Sequence, residues 1–92
     1  MIKKVVDGFL VKKITISHDS EKNEKISEDI LGVEVTQWEA TDRIERESEY
    51  YAEQPFEYGR SILKNGIAYV RQGKDEQVHY VWEKCIIIQG AS

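Results

Sequence analysis

His18, Asp19, His79 and Cys85 are the side chains of this 92-residue chain that a metal or nucleophilic chemistry would draw on first. They are not paired at the short spacings by which structural zinc sites are recognised, so no metal site is expected. Cys85 heads an Ile-Ile-Ile run, where a cysteine behaves as a small buried hydrophobe, and no base is placed to activate it. The six glycines are scattered and form no phosphate-cradling motif. Carboxylates are abundant, but general acid and base work needs two of them placed in a cleft. The expectation is a protein with no catalytic residues, no cofactor and no metal.

Spacing is most regular in the acidic stretch TDRIERESEYYAEQPFEYG, residues 41–59. On a helix Glu45, Glu49 and Glu53 recur every fourth residue and form one row, which Asp42 begins. Like charges at that spacing are mildly destabilising, by roughly 0.2 to 0.5 kcal/mol a pair. Other charges there can be compensated at i+4: Glu39 by Arg43, Asp42 by Arg46 and Glu47 by Arg43. The row has no cation at that spacing, so helix stability does not account for it. Tyr50, Tyr51, Phe56 and Tyr58 lie beside it and follow it, around the chain's one proline, Pro55.

The charge is uneven along the chain. Residues 1–18 hold four lysines against Asp7, leaving +3, while residues 19–57 hold thirteen Asp and Glu against four Lys and Arg, leaving −9. Residues 58–92 return to +2, for a net −4. At 40% hydrophobic and 33% charged the composition is globular, and the length suits a single domain, 1–92. MIKKVVDG lacks the apolar run of a signal peptide or membrane span, and a lone cysteine forms no internal disulfide, so a cytoplasmic location is expected.

The elements that must position these residues are mostly strands. IKKVV and FLVKKITIS flank Asp7-Gly8, and RSILK and IAYVR flank Asn65-Gly66; both dipeptides favour two-residue hairpin turns. VHYVW and CIIIQ extend the second hairpin into a three- or four-strand meander over residues 57–89. VEVTQWE reads as a further alternating strand, with Trp38 opposing Val33 and Val35. Asn23 is placed to cap a short helix through EKISEDIL, with Ile26 and Ile30 four apart and Gly32 as its stop. A second helix begins at Thr41 or Asp42 and ends before Pro55. The predicted fold is α+β: a small antiparallel sheet or partly open barrel of about five to seven short strands, with one exposed acidic helix near 41–54.

Three functions compete for such a domain. The first is protein binding, with Asp42, Glu45, Glu49, Glu53, Tyr50, Tyr51, Phe56 and Tyr58 meeting a basic surface on a partner. If that surface is a nucleic-acid groove, the row takes positions otherwise held by phosphates; in size and charge alone the chain then resembles the small acidic nucleic-acid mimics of phages and plasmids. The second is an SH3-like or OB-like barrel that binds single strands through Tyr69, Arg71, Tyr80, Trp82 and Lys84. The −9 segment argues against direct nucleic-acid binding, and core burial is the commoner fate of those aromatics. The third is a homo-oligomer built through the apolar 85–89 strand as an edge. No membrane partner is expected.

Overall fold

In the computed structural model, which describes residues 2–91 and the side chains of residues 4–88, the chain forms one open antiparallel sheet with two helices on one face. The strands are β1 (Ile2–His18), β2 (Glu24–Glu34), β3 (Tyr58–Leu63), β4 (Gly66–Arg71) and β5 (Gln77–Ala91). Their order in the sheet is β2-β1-β5-β4-β3, so β2 and β3 are its two outer strands and no barrel closes. The helices are α1 (Gln37–Glu47) and α2 (Glu49–Ala52). None is long and apolar enough to cross a membrane.

β1 is the spine. It pairs with β5 from Ile2 to Ile16 and with β2 from Phe9 to His18. The hairpin expected at Asp7-Gly8 therefore does not form: Asp7 pairs with Ile86 and Gly8 with Cys85, deep in a continuous ladder. A turn there would leave the CIII segment without a partner, and the long pairing with β5 satisfies both. Gly8 serves a different purpose from a turn, because a side chain at that position would run into the Ile87 side chain lying across it. The true reversal is Asp19–Asn23. There Asp19 Oδ1 accepts the Glu21 and Asn23 amides at 2.9 and 2.8 Å, and Lys22 adopts a left-handed φ of 63°. These hydrogen bonds, the Asn23 amide foremost, hold the Asp19 carboxyl below its ordinary pKa.

EKISEDIL is a strand, not a helix. Ile26 and Ile30 are four apart, a spacing that suits one face of a helix and one face of a strand equally. Tertiary pairing decides, since β1 offers an edge that β2 completes. Leu31 is an extra residue between Ile30, opposite Lys12, and Gly32, opposite Val11; this bulge lets Leu31 reach the core. VEVTQWE divides: Val33 and Glu34 end β2, and Gln37 and Trp38 begin α1. The hairpin expected around Asn65-Gly66 forms, but its turn lies one residue earlier: Lys64 and Asn65 turn between Leu63 and Gly66, and Gly66 is the first residue of β4. Asn65 then ties this turn to β5, its carbonyl accepting the Trp82 amide at 2.8 Å and its side-chain amide donating to the Trp82 carbonyl at 2.9 Å. β5 is continuous, so the meander has three strands. Past Val81 it has no strand on the side away from β1 among the described residues.

The core is one-sided. Val11, Ile67, Tyr69, Val78 and Tyr80 rise from one face of β1, β4 and β5 and meet Ala40 and Ile44 of α1. Phe9, Leu31, Tyr51, Tyr58 and Trp82 close its margins. α1 starts at Thr36, earlier than Thr41 or Asp42, because Thr36 Oγ1 accepts the Glu39 amide at 3.1 Å and donates to Glu39 Oε1 at 2.9 Å. Ala40, Ile44 and Ser48 are the helix's buried line. Ile44, 1% exposed, is the single large apolar residue on it. Ile44→Ala should cost about 2 to 5 kcal/mol, read as a lower urea midpoint at unchanged slope.

Candidate interaction surface

Asp42, Glu45, Glu49 and Glu53 all project from the helical segment, but the segment is not one helix. α1 ends at Ser48, whose φ and ψ of −94° and 3° depart from helical values. The Ser48 amide still returns to Ile44 at 3.0 Å, and those of Tyr51 and Ala52 fold onto the Ser48 carbonyl at 3.0 and 3.2 Å. Ser48 itself is 1% exposed and its hydroxyl donates to the Glu45 carbonyl at 3.4 Å. A buried polar residue with a local bond of its own competes with the helix ladder, and the ladder tightens there. The row is accordingly bent between Glu45 and Glu49.

The charge pairing differs from the i+4 pattern in two of three places. Asp42 and Arg46 meet at 3.1 Å as expected. Arg43 turns away from Glu39 and Glu47 and binds Glu34 Oε1 of β2 at 2.5 Å, with its guanidinium lying over Gly32. A Cβ on Gly32 would come within 2.6 Å of that guanidinium, so the glycine makes room for the tether between α1 and β2. Glu39 is engaged by the Thr36 cap. Glu45, Glu49 and Glu53 are exposed, and among the described residues none forms an ion pair.

The four aromatic candidates separate into two kinds. Tyr51 is half-buried, stacked on Tyr69 with centroids 5.6 Å apart and edge-on to Tyr58 at 4.9 Å. Lys13 Nζ lies 5.8 Å from the centroids of both Tyr51 and Tyr80. Tyr51 and Tyr58 thus plug one end of the core. Tyr50 and Phe56 are 64% and 93% exposed. Phe56 follows Pro55 in the turn where the Glu57 and Tyr58 amides fold back onto the Gln54 carbonyl at 3.1 and 3.0 Å, and so stands clear of the core.

Beside the helix runs a groove of ≈170 Å³ between α1 and the β3–β4 hairpin. Glu45 and Thr41 form one wall, Arg60 and Ile62 the other, with Ile67 at the floor. Arg60, Ile62 and Trp38 are surface features that the spacing argument passed over. The sequence did hold a signal for the first two. Arg60 and Ile62 alternate with Ser61 on β3, opposite Tyr69 and Ile67, so they share the helix-side face at the sheet's outer strand.

The residues considered for other functions are dispersed. Tyr69 and Tyr80 are buried, Trp82 sits edge-on to Phe9 at 5.2 Å, and Arg71 is paired with Glu76 at 3.1 Å. They form no outward stacking platform. His18 Nδ1 lies 3.3 Å from the Asp75 carbonyl and His79 Nε2 lies 3.0 Å from Gln77 Oε1. Among the described residues no three His, Cys, Asp or Glu gather as metal ligands. Comparison with protein-family models, with curated proteins and with solved structures finds no match to this chain.

Burial raises the phenol pKa of Tyr51, Tyr58 and, most strongly, Tyr80. Below about pH 10 these phenols are neutral in both folded and unfolded chains and add no pH dependence. Above it the unfolded chain ionises first, so stability falls as pH rises. Tyrosinate absorbance from the buried rings should appear together with loss of circular dichroism, and Tyr80→Phe should flatten the decline.

Proposed function

We propose that this chain is a non-enzymatic protein-binding domain, an acidic inhibitor that seats its helical segment in a basic groove which otherwise holds nucleic acid. Phe56, 93% exposed between Glu53 and Glu57, carries this reading. A large aromatic held in water by a turn, with Tyr50 exposed nearby, has the character of a binding anchor. Glu45, Glu49 and Glu53 supply the charge around it, and exposed carboxylates with no ion pair among the described residues are suited to meet cations of another protein. In such interfaces aromatic anchors provide most of the affinity, while charge provides encounter rate and orientation. The groove beside Glu45 continues over Ser48 and Ala52 as an open hollow of ≈310 Å³, and the two have room for side chains of a partner.

The test begins with capture of partners from the native host or its infecting phage and continues by calorimetry with the purified partner. Glu45→Lys with Glu49→Lys should abolish binding and leave the far-ultraviolet circular dichroism unchanged. Phe56→Ala should weaken binding by 2 kcal/mol or more, roughly 30-fold, the range of a hot-spot anchor. Binding indifferent to the double reversal would remove the acidic row from the mechanism.

A further inference from the structure

The helices cover one face of the sheet, and nothing among the described residues covers the other. The strand registers put Leu10, Ile14 and Ile16 of β1, Ile26 and Ile30 of β2, and Val81 of β5 together on that second face. Ile26 and Ile30 are 63% and 69% exposed. An antiparallel sheet with one wet face alternates apolar and polar residues, whereas strands covered on both faces are apolar on both. In β1, Phe9 and Val11 face the helices and Leu10 faces away; beyond Lys12, Ile14 and Ile16 face away while Lys13, Thr15 and Ser17 lie on the helix side, so the apolar residues of this half of the strand belong to the bare face.

The shape of the chain agrees. Its radius of gyration is 16.0 Å, against about 12 Å for a compact domain of this length. The sheet is long and thin, and its interior lies between one helix layer and one sheet face.

We propose that the second face is covered by a second copy of this chain, the two sheets packing face to face about a two-fold axis as a sandwich. Area favours this occupant. Four residue rows of about 6.6 Å across five strands about 4.8 Å apart give a footprint of about 600 Å² per copy, before side-chain relief. A stable interface needs roughly 600 to 1,000 Å² per partner. Several polar groups on the face already have partners within the chain: Lys12 Nζ binds Glu28 Oε1 at 2.5 Å and Glu83 Oε1 at 2.7 Å, and His79 meets Gln77. A twisted sheet fits another sheet of the same twist, about 10 Å away and turned by about −30°. Covering must also be permanent for a face this apolar, and a second copy is present wherever the chain is made.

Sedimentation equilibrium and small-angle X-ray scattering test this on the wild-type chain. A dimer is expected, with a longest dimension little beyond the single chain's 54 Å, because stacking thickens the particle along its 19 Å axis. Ile26→Lys with Ile30→Lys, at positions already exposed in the single chain, should raise the dimer Kd about 100-fold or more while keeping the circular dichroism. Val70→Lys on β4, 37% exposed and on the same face, should act likewise and serves if the double variant misfolds. A wild-type monomer at high concentration would overturn the proposal. So would an elongated dimer that Ile86→Glu splits and the face variants leave intact, since that is pairing through the open edge of β5.

Discussion

The helices cover one face of the sheet, and the rest of the structure follows from how narrow the buried line of α1 is. Ala40, Ile44 and Ser48 are its only buried residues, and a single large apolar side chain among them reaches the sheet. Core volume therefore comes from the other side, from Val11, Tyr69, Val78 and Tyr80, with Tyr51 and Tyr58 plugging the end that α1 does not reach. The aromatics are in the core because aliphatic helix residues are scarce. Each brings a large area to bury, and Tyr51 is ordered by edge-on and stacked contacts to its neighbours.

The helix is held to the sheet at its margin by charge. Arg43 crosses to Glu34 and lies over Gly32, coupling α1 to β2. This diversion also defines the acidic surface. Arg43 is one of only two cations in the helical segment, and once it serves the sheet, the remaining carboxylates depend on Arg46, which is paired with Asp42. Glu45, Glu49 and Glu53 are left facing solvent. Their isolation is a consequence of how the helix is tethered as much as of the spacing along it.

β1 links the two halves of the molecule. Its Phe9–Ile16 segment is flanked by β2 and β5, while its earlier part pairs with β5 alone. The sheet therefore extends past the helix layer as a two-stranded ribbon, on which Val5, Ile86 and Ile88 are more than half exposed. A sheet with one face under helices, the other apolar and bare, and a ribbon with open edges offers surfaces of distinct kinds. The acidic helical segment and the bare face lie on opposite sides, so occupation of one leaves the other free.

Local chemistry alone was enough for a hairpin near Asn65-Gly66, though not for its turn residues, for the three-strand meander and for the exposure of Glu45, Glu49 and Glu53. Each depends on neighbours within a few residues, and short-range rules suffice there. Tertiary structure decided the remainder. Asp7-Gly8 became strand because β5, some eighty residues away, offered a ladder that no local turn could equal. EKISEDIL became β2 because a four-residue apolar spacing fits helix and strand alike, and only the free edge of β1 distinguishes them. Arg43 left its helical neighbours for Glu34 because Gly32 gave it room. Tyr51 entered the core while Phe56 stayed outside, although both were legible only as aromatics near Pro55; which one faced the sheet depended on the register of β3 and β4 beneath them.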